Sequence, residues 1–476
     1  MPFASRSYGA RSGDFIIMLN KKKGNNNRVK LLSIETSCDE TAVAIIECSG
    51  EFKNPSFKIL GNSLLSQIEI HKEYGGVFPS LAKREHAKNL VPLLENTLKQ
   101  SSLYLEAELP SKISNAKVKE IEKILERESG LFEKLKELLS KIEIPDLDSI
   151  AITYGPGLEP ALWVGLNFAK ALSIAWDKPL VPVNHMEGHL LSVLIDREKI
   201  PNYKHQITNK SEITNSPPPP RIRRTSKSQT LPETSYQKPV TSIQFPAIAL
   251  LISGGHTELV LIKDWLDYEI IGQTRDDAVG EAFDKVARML KLPYPGGPYI
   301  SALAEMSRIN ADETQINADK KLPHKSASSP YKSAFVLPRP MINTDNFDFS
   351  FSGLKTSVLY KIKKLPELTG EIKKEIAREF EDAVVDVLIS KTKKALQKYN
   401  AKTLIIGGGV VANKQIRRVF SNLVTELPNT QLLLPENSLS TDNAIMIGIA
   451  GYFRFLKQKN KTPNPNELRA EGNLRL

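Results

Sequence analysis

Two segments of the chain, about 215 residues apart, follow one plan. Leu31-Leu-Ser-Ile-Glu-Thr-Ser-Cys-Asp-Glu-Thr-Ala-Val-Ala-Ile-Ile reads as strand, polar turn, strand, and Ala247-Ile-Ala-Leu-Leu-Ile-Ser-Gly-Gly-His-Thr-Glu-Leu-Val-Leu-Ile repeats it. Each is an apolar run rich in β-branched residues, broken by small and acidic residues that suit a tight turn. A third strand, Thr403-Leu-Ile-Ile, runs into Gly407-Gly-Gly-Val-Val-Ala-Asn-Lys and then a helical pattern. Strands alternating with helices require α/β layers. Two hairpins, each opening one half, predict a duplicated two-domain α/β fold with a cleft between the halves, and three glycine-bearing turns in the chain point to a nucleotide in that cleft.

That layout resembles the actin, Hsp70 and sugar-kinase superfamily. The division it implies is an N-terminal lobe over 31–180 and a C-terminal lobe over 181–476 that carries the candidate metal site. Three stretches read as insertions. Residues about 101–143 are Glu/Lys/Leu-rich with helical spacing and predict a solvated helical hairpin. Residues about 199–243, with Pro217-Pro-Pro-Pro and many Ser/Thr, predict disorder. Residues about 307–332, with Ile309-Asn-Ala-Asp and Ile316-Asn-Ala-Asp, read as a loop.

The net charge of +11 is local in origin. Residues 1–30 carry seven Lys/Arg against Asp14, and 201–243 carry seven against Glu212 and Glu233. The rest of the chain is formally neutral, so charge alone does not establish a polyanion partner. The basic, acid-poor first thirty residues have some character of an organelle transit peptide but lack an amphipathic helix. They read as a disordered extension, with Met18 as an alternative start. No apolar run is long enough to span a membrane. The two cysteines, Cys38 and Cys48, form no disulfide framework and read as small buried hydrophobes of a cytoplasmic protein.

His185 and His189, in Asn184-His-Met-Glu-Gly-His-Leu-Leu, follow the apolar strand Pro179-Leu-Val-Pro-Val. Side chains four apart share a helix face, so the two can converge on one divalent ion, or be two unrelated histidines. The zinc-protease signature needs Glu directly after the first His, and Met186 stands there. Glu187 lies about 200° around a helix from His185 and cannot replace it. A third ligand is expected, and Asp442 in Ser440-Thr-Asp-Asn-Ala-Ile-Met-Ile-Gly is a candidate, with helix capping as its alternative role.

Ser253-Gly-Gly-His-Thr, Pro295-Gly-Gly-Pro and Gly407-Gly-Gly offer backbone N–H groups that approach a phosphate without Cβ obstruction, although tight turns also use glycine for conformation alone. Asp284 lies among Ala282, Phe283, Val286 and Ala287; it can accept ribose hydroxyls or lie on an exposed face with Lys285.

Together these motifs resemble the tRNA N6-adenosine threonylcarbamoyltransferases, formerly called glycoprotease-like, in their bacterial and organellar branch. The matching segments are Ile34-Glu-Thr-Ser-Cys-Asp-Glu-Thr, His71-Lys-Glu-Tyr-Gly-Gly-Val-Phe-Pro, Tyr154-Gly-Pro-Gly-Leu and Asn184-His-Met-Glu-Gly-His. Further along come Leu251-Ile-Ser-Gly-Gly-His-Thr, Asp277-Ala-Val-Gly-Glu-Ala-Phe-Asp-Lys and Tyr294-Pro-Gly-Gly-Pro. Phe349-Ser-Phe-Ser-Gly-Leu-Lys-Thr, Gly408-Gly-Val-Val-Ala-Asn and Thr441-Asp-Asn complete the set.

The resemblance implies an iron(II) ion on His185, His189 and Asp442, with zinc as the alternative. It implies contacts to threonylcarbamoyl-AMP from Leu251, Ile252, Ser253, Gly254, Gly255, Asp284, Gly297 and Asn413. It also implies transfer to N6 of adenosine 37 in tRNAs that read codons beginning with A, and work alongside an inactive paralogue and a P-loop ATPase. Asp39 and Glu40 remain open between proton acceptor and turn residues. The competing readings are a metalloprotease and an inert actin-like nucleotide-binding subunit.

Overall fold

The computed structural model describes residues 28–108, 113–128, 130–195, 242–319, 335–458 and 464–476. Among the described residues, ten strands form two five-stranded sheets, β1 (Val29–Glu35), β2 (Glu40–Ser49), β3 (Ser56–Ser66), β4 (Ser149–Gly155) and β5 (Leu180–Asn184) in the first. The second holds β6 (Ala247–Ile252), β7 (Thr257–Asp264), β8 (Asp267–Gln273), β9 (Thr403–Gly407) and β10 (Gln431–Leu433). The helices are α1 (Pro79–Gln100), α2 (Asn115–Leu125), α3 (Leu131–Lys141), α4 (Glu159–Trp176), α5 (His185–Leu191) and α6 (Val279–Met289). Then follow α7 (Gly296–Asp319), α8 (Ser352–Lys363), α9 (Gly370–Lys398), α10 (Lys414–Thr425) and α11 (Ala444–Gln458).

The sheet orders are β3-β2-β1-β4-β5 and β8-β7-β6-β9-β10. In each, the first three strands form an antiparallel meander, and the first strand then pairs in parallel with the fourth. One topology has been used twice, as the repeated hairpins predict.

Burial on both faces explains why the strands read as near-continuous apolar runs. Side chains alternate across a strand. Leu31, Ala247, Ala249 and Leu251 therefore enter a central layer between the sheets, together with Met186, Leu190 and Ile447. Their neighbours face outward: Leu32 and Ile34 against α1 and α4, Ile248, Leu250 and Ile252 against α6 and α9.

The lobe boundaries differ from those expected. β5 pairs with β4 of the first sheet, so that lobe runs to Asn184 rather than 180. α11 returns to pack on β1, β2, β4 and β5, so the first lobe also owns the end of the chain. It fits closely because Gly448 and Gly451 lie against the sheet: a Cβ on Gly451 would sit 2.6 Å from the Ala151 Cβ. The tail beyond α11 continues on this lobe, with Glu471 N–H donating to the Tyr154 carbonyl at 2.8 Å and Lys170 Nζ to the Leu468 carbonyl at 2.8 Å.

Two insertions also differ. α2 and α3 are not merely solvated, because Ile121, Leu125, Leu131, Leu135, Leu138 and Leu139 are buried in the first lobe's outer core. The apolar stripe that makes each helix amphipathic finds a hydrophobic partner there. The expected loop from about 307 is helix as far as Asp319. Ile309 and Ile316 repeat at seven residues, about two helical turns, so the repeat is a helical period. The remainder of that stretch, the extension before Arg28 and residues 196–241 lie outside the described residues. At their edges, Val29 and Lys30 already belong to β1, and Ile243 is buried. Among the described residues no helix is long and apolar enough to cross a membrane.

Candidate metal centre at the lobe junction

Asn184 ends β5 and starts α5. Its Oδ1 accepts the Met186 and Glu187 N–H groups at 2.8 and 3.3 Å, capping the helix on which the histidines lie. Its Nδ2 donates to the Arg475 carbonyl at 3.1 Å, so the chain's tail supports the same cap. The helical spacing brings the two rings to 4.7 Å between centroids, edge to face.

Asp442 completes the group. Its Oδ1 lies 3.3 Å from His185 Nε2 and 3.1 Å from His189 Nε2, and the three candidate ligand atoms lie within 4.8 Å of one another. Ligands about 2.1 Å from an ion at tetrahedral or octahedral angles stand about 3.0–3.5 Å apart, so the set fits a small divalent cation. The capping alternative for Asp442 is excluded, because Asn443 does that work: its Oδ1 accepts the Met446 N–H at 2.9 Å.

The far side of His185 is held as metal-ligating imidazoles usually are. Nδ1 lies 3.2 Å from Glu35 Oε2 and 3.1 Å from Ser37 Oγ, which leaves Nε2 for the ion. Glu35 is fully buried at the end of β1 and also accepts from Thr153 Oγ1 at 2.6 Å and the Ser37 N–H at 2.5 Å. His189 Nδ1 is buried without a hydrogen-bond partner among the described residues.

The electrostatics call for a cation. Burial opposes protonation of His185, yet Asp442 and Glu35 raise it to about 10. Burial alone would raise Asp442, but the two histidines hold it well below the usual carboxylate range. Asp39 and Glu40, in the first hairpin turn, are almost buried and raised by desolvation, with Asp442 adding to both shifts.

Glu187 takes no part. Its carboxylate is buried, bonded to Arg454 Nε at 2.7 Å and to the Tyr268 hydroxyl at 2.8 Å, where it ties α5 to α11. The protease reading therefore lacks its base in space as well as in sequence.

From the second hairpin, His256 lies in the field of this group: burial, with the charges of His185 and His189, lowers it to about 4. Before it, Ser253 N–H donates to the His256 carbonyl at 2.9 Å, closing the turn. Leu251 and Ile252 are buried in β6, whereas Gly254 and Gly255 are exposed and face open space. Behind the turn, Gly408 has φ +95°, and a Cβ there would stand 2.4 Å from the Ile252 carbonyl oxygen, so only glycine lets the β9 loop approach.

Asp284 is not on an exposed face with Lys285. Its Oδ1 accepts the Gly296 N–H at 2.6 Å at the start of α7, and burial raises its carboxyl against the Gly296 and Gly297 N–H groups. Gly297 itself faces open space. Asn413 is engaged within the lobe: Oδ1 caps α10 through the Ile416 N–H at 2.9 Å, and Nδ2 reaches Ser301 Oγ and Glu381 Oε1, both at 2.6 Å.

Sequence reasoning passed over Glu35, Ser37 and His256. The available signal was an acid closing an otherwise apolar buried strand, followed by a hydroxyl two residues on.

A duplicated α/β chain with a buried two-histidine, one-carboxylate centre beside an open glycine turn defines a two-lobed enzyme with a candidate metal site where its halves meet. The sequence pattern of tRNA N6-adenosine threonylcarbamoyltransferases matches residues 58–108, 129–203 and 231–449. Enzymes of that name from Staphylococcus epidermidis and Polynucleobacter necessarius are 35% and 38% identical, each aligned over 90% of this chain and 93% of its own length. That from Bacillus cereus is 35% identical over 91% of this chain and 93% of its own. The chain belongs to the tRNA N6-adenosine threonylcarbamoyltransferase family, and it is a transferase.

Proposed function

We propose that the enzyme moves the threonylcarbamoyl group of threonylcarbamoyl-AMP onto N6 of adenosine 37 in tRNAs reading codons that begin with A, using the His185–His189–Asp442 centre. The observation that carries this reading is the convergence of three ligand atoms from distant segments, with His185 oriented from behind by Glu35 and Ser37. A bound divalent cation, iron(II) in this reading, supplies Lewis-acid polarisation and a template for the carbamate.

The protein's own groups do the rest. The adenine amine attacks the carbamoyl carbon, a C–N bond forms, the C–O bond to phosphate breaks, and AMP leaves as the amine loses a proton. An exocyclic amine is a weak nucleophile but the mixed anhydride is already activated, so the protein's task is placement and charge stabilisation. The N–H groups of Gly254 and Gly255 donate to the phosphate, with Ser253 closing the turn and Leu251 and Ile252 fixing the strand beneath. Asp284 and Gly297 address the ribose side, and Asn413 contributes through the Gly407–Ala412 loop it anchors. An inactive paralogue and a P-loop ATPase assist the reaction.

The test supplies protein, these partners, threonine, bicarbonate, ATP and unmodified tRNA, and measures nucleosides by mass spectrometry. Threonylcarbamoyladenosine forms with the wild type. His185→Ala abolishes both product and bound metal. Absence of product where a bacterial relative succeeds rejects the function, and unchanged metal content in His185→Ala rejects the site.

A further inference from the structure

The metal chemistry makes no use of the first-lobe motif His71-Lys-Glu-Tyr-Gly-Gly-Val-Phe-Pro. Within it Tyr74 is 60% exposed and Phe78 is 50% exposed. Their rings stack on each other, with centroids 5.6 Å apart and planes within 20°. Large aromatic side chains normally lie inside, and folding gains little from two left in water. Among the described residues the other exposed large hydrophobic side chains are not stacked in pairs.

The loop that presents them is fastened at three points. Buried His71 accepts the Phe78 N–H on Nδ1 at 3.3 Å, while its Nε2 lies 3.3 Å from Gln67 Oε1. Gly75 closes a helical turn at φ +64°, a left-handed conformation suited to glycine, and its N–H donates to the Lys72 carbonyl. The Gly75 carbonyl then accepts a hydrogen bond from the guanidinium of Arg288, at the end of α6 in the other lobe. The rings are therefore held by a fixed support that spans the lobe junction.

The place of that support is as informative as its shape. Gln67, which His71 touches, donates its N–H to the Asp39 carbonyl at 2.9 Å, so the loop is tied to the first hairpin turn, whose Asp39 carboxyl lies in the field of Asp442. We infer that the Tyr74–Phe78 stack is a platform on which an unpaired base of the acceptor RNA, next to the adenosine being modified, is held. Single-stranded RNA loops are read largely by stacking their bases on aromatic faces, and any base has a face to offer. The exposed guanidinium of Arg288, bonded to the Gly75 carbonyl next to Tyr74, adds a positive charge that an RNA phosphate can meet. This inference rests on the transferase reading for the identity of the RNA.

The double variant Tyr74→Ala/Phe78→Ala tests it, with Tyr74→Phe/Phe78→Tyr as the version that keeps both faces. Two readouts are taken on the full protein with its partners: KM for tRNA against KM for threonylcarbamoyl-AMP, and the fluorescence of an anticodon stem-loop with 2-aminopurine beside the target adenosine. The alanine variant raises KM for tRNA by about tenfold or more and loses the quenching that stacking produces, with KM for the adenylate unchanged. The swapped variant behaves as wild type. Unchanged tRNA KM and quenching in the alanine variant overturn the inference, including the case where the rings instead seat a protein subunit. If the wild type transfers nothing, the transferase reading fails on its own, and the quenching still decides whether RNA bases stack on these rings.

Discussion

His86 offers a quantitative check on how the first hairpin is held beneath the metal centre. It is fully buried, and its Nε2–H donates to the Cys38 carbonyl at 3.0 Å. A carbonyl only accepts, which fixes the tautomer and leaves Nδ1 to accept from Thr41 Oγ1 at 2.8 Å and Gln67 Nε2 at 3.3 Å. A proton on Nδ1 would face the Gln67 amide donor. Burial lowers His86 from 6.5 to about 4, the Cys38 carbonyl and Glu35 opposing that only in part. Above pH 6.5 the residue is neutral folded or unfolded and has no linked effect. Between pH 6.5 and 4 the unfolded chain takes up a proton that the folded one refuses, so stability falls as pH falls. At about 1.36 kcal/mol per pH unit across that window, about 3 kcal/mol is lost by pH 4.

The perturbation is His86→Gln, which keeps a donor for Cys38 but cannot ionise. Urea denaturation followed by tryptophan fluorescence from pH 4 to 8 gives both stability curves, and the chain's other titrations largely cancel in their difference. At pH 7.5 the variant is less stable by about 1–3 kcal/mol, because Thr41 and Gln67 lose their acceptor. By pH 4 that gap shrinks or reverses, a change of about 3 kcal/mol. A gap constant to within about 0.5 kcal/mol across the range refutes the assignment of a buried neutral imidazole.

Two further outcomes follow from the packing. Glu35→Gln leaves all three ligands in place but weakens the hold on His185 Nδ1, so metal affinity measured by chelator competition falls about 10–100-fold; equal affinity removes Glu35 from the site. Gly451→Val places methyl groups into the space occupied by Ala151 and costs about 1–3 kcal/mol of stability, whereas an unchanged denaturation midpoint contradicts the close seating of α11 on the first sheet.

Much of this was legible in the residues. The hairpins announce themselves because strands buried on both faces leave long apolar runs, and His185 and His189 because helical periodicity is local. Asp442 and Asn443 are adjacent and both able to cap, so only the place of the Met446 N–H, bonded to Asn443, shows which of them caps. Glu35 is a single acid whose meaning lies in Thr153 and His185, more than a hundred residues away, and no short pattern encodes that. The placement of α11 was illegible for the same reason: an apolar helix shows that it is buried, not against what. The helical run of α7 to Asp319 was encoded in the seven-residue repeat, where polar Asn and Asp mask the period.

The return of α11 to the first sheet has a consequence for how the molecule is made. During synthesis the strands β1, β2, β4 and β5 and both histidines leave the ribosome long before Asp442 and α11 do. Domains tend to fold as units in order of emergence. Here the first lobe cannot finish ahead of the second, since the helix that covers its inner face is translated after every strand of the second sheet. The nascent chain must carry an uncovered apolar sheet through the making of the whole second half. Asp442 likewise joins the two histidines only after both sheets have been made, so under the proposed function an ion can be held by all three only then.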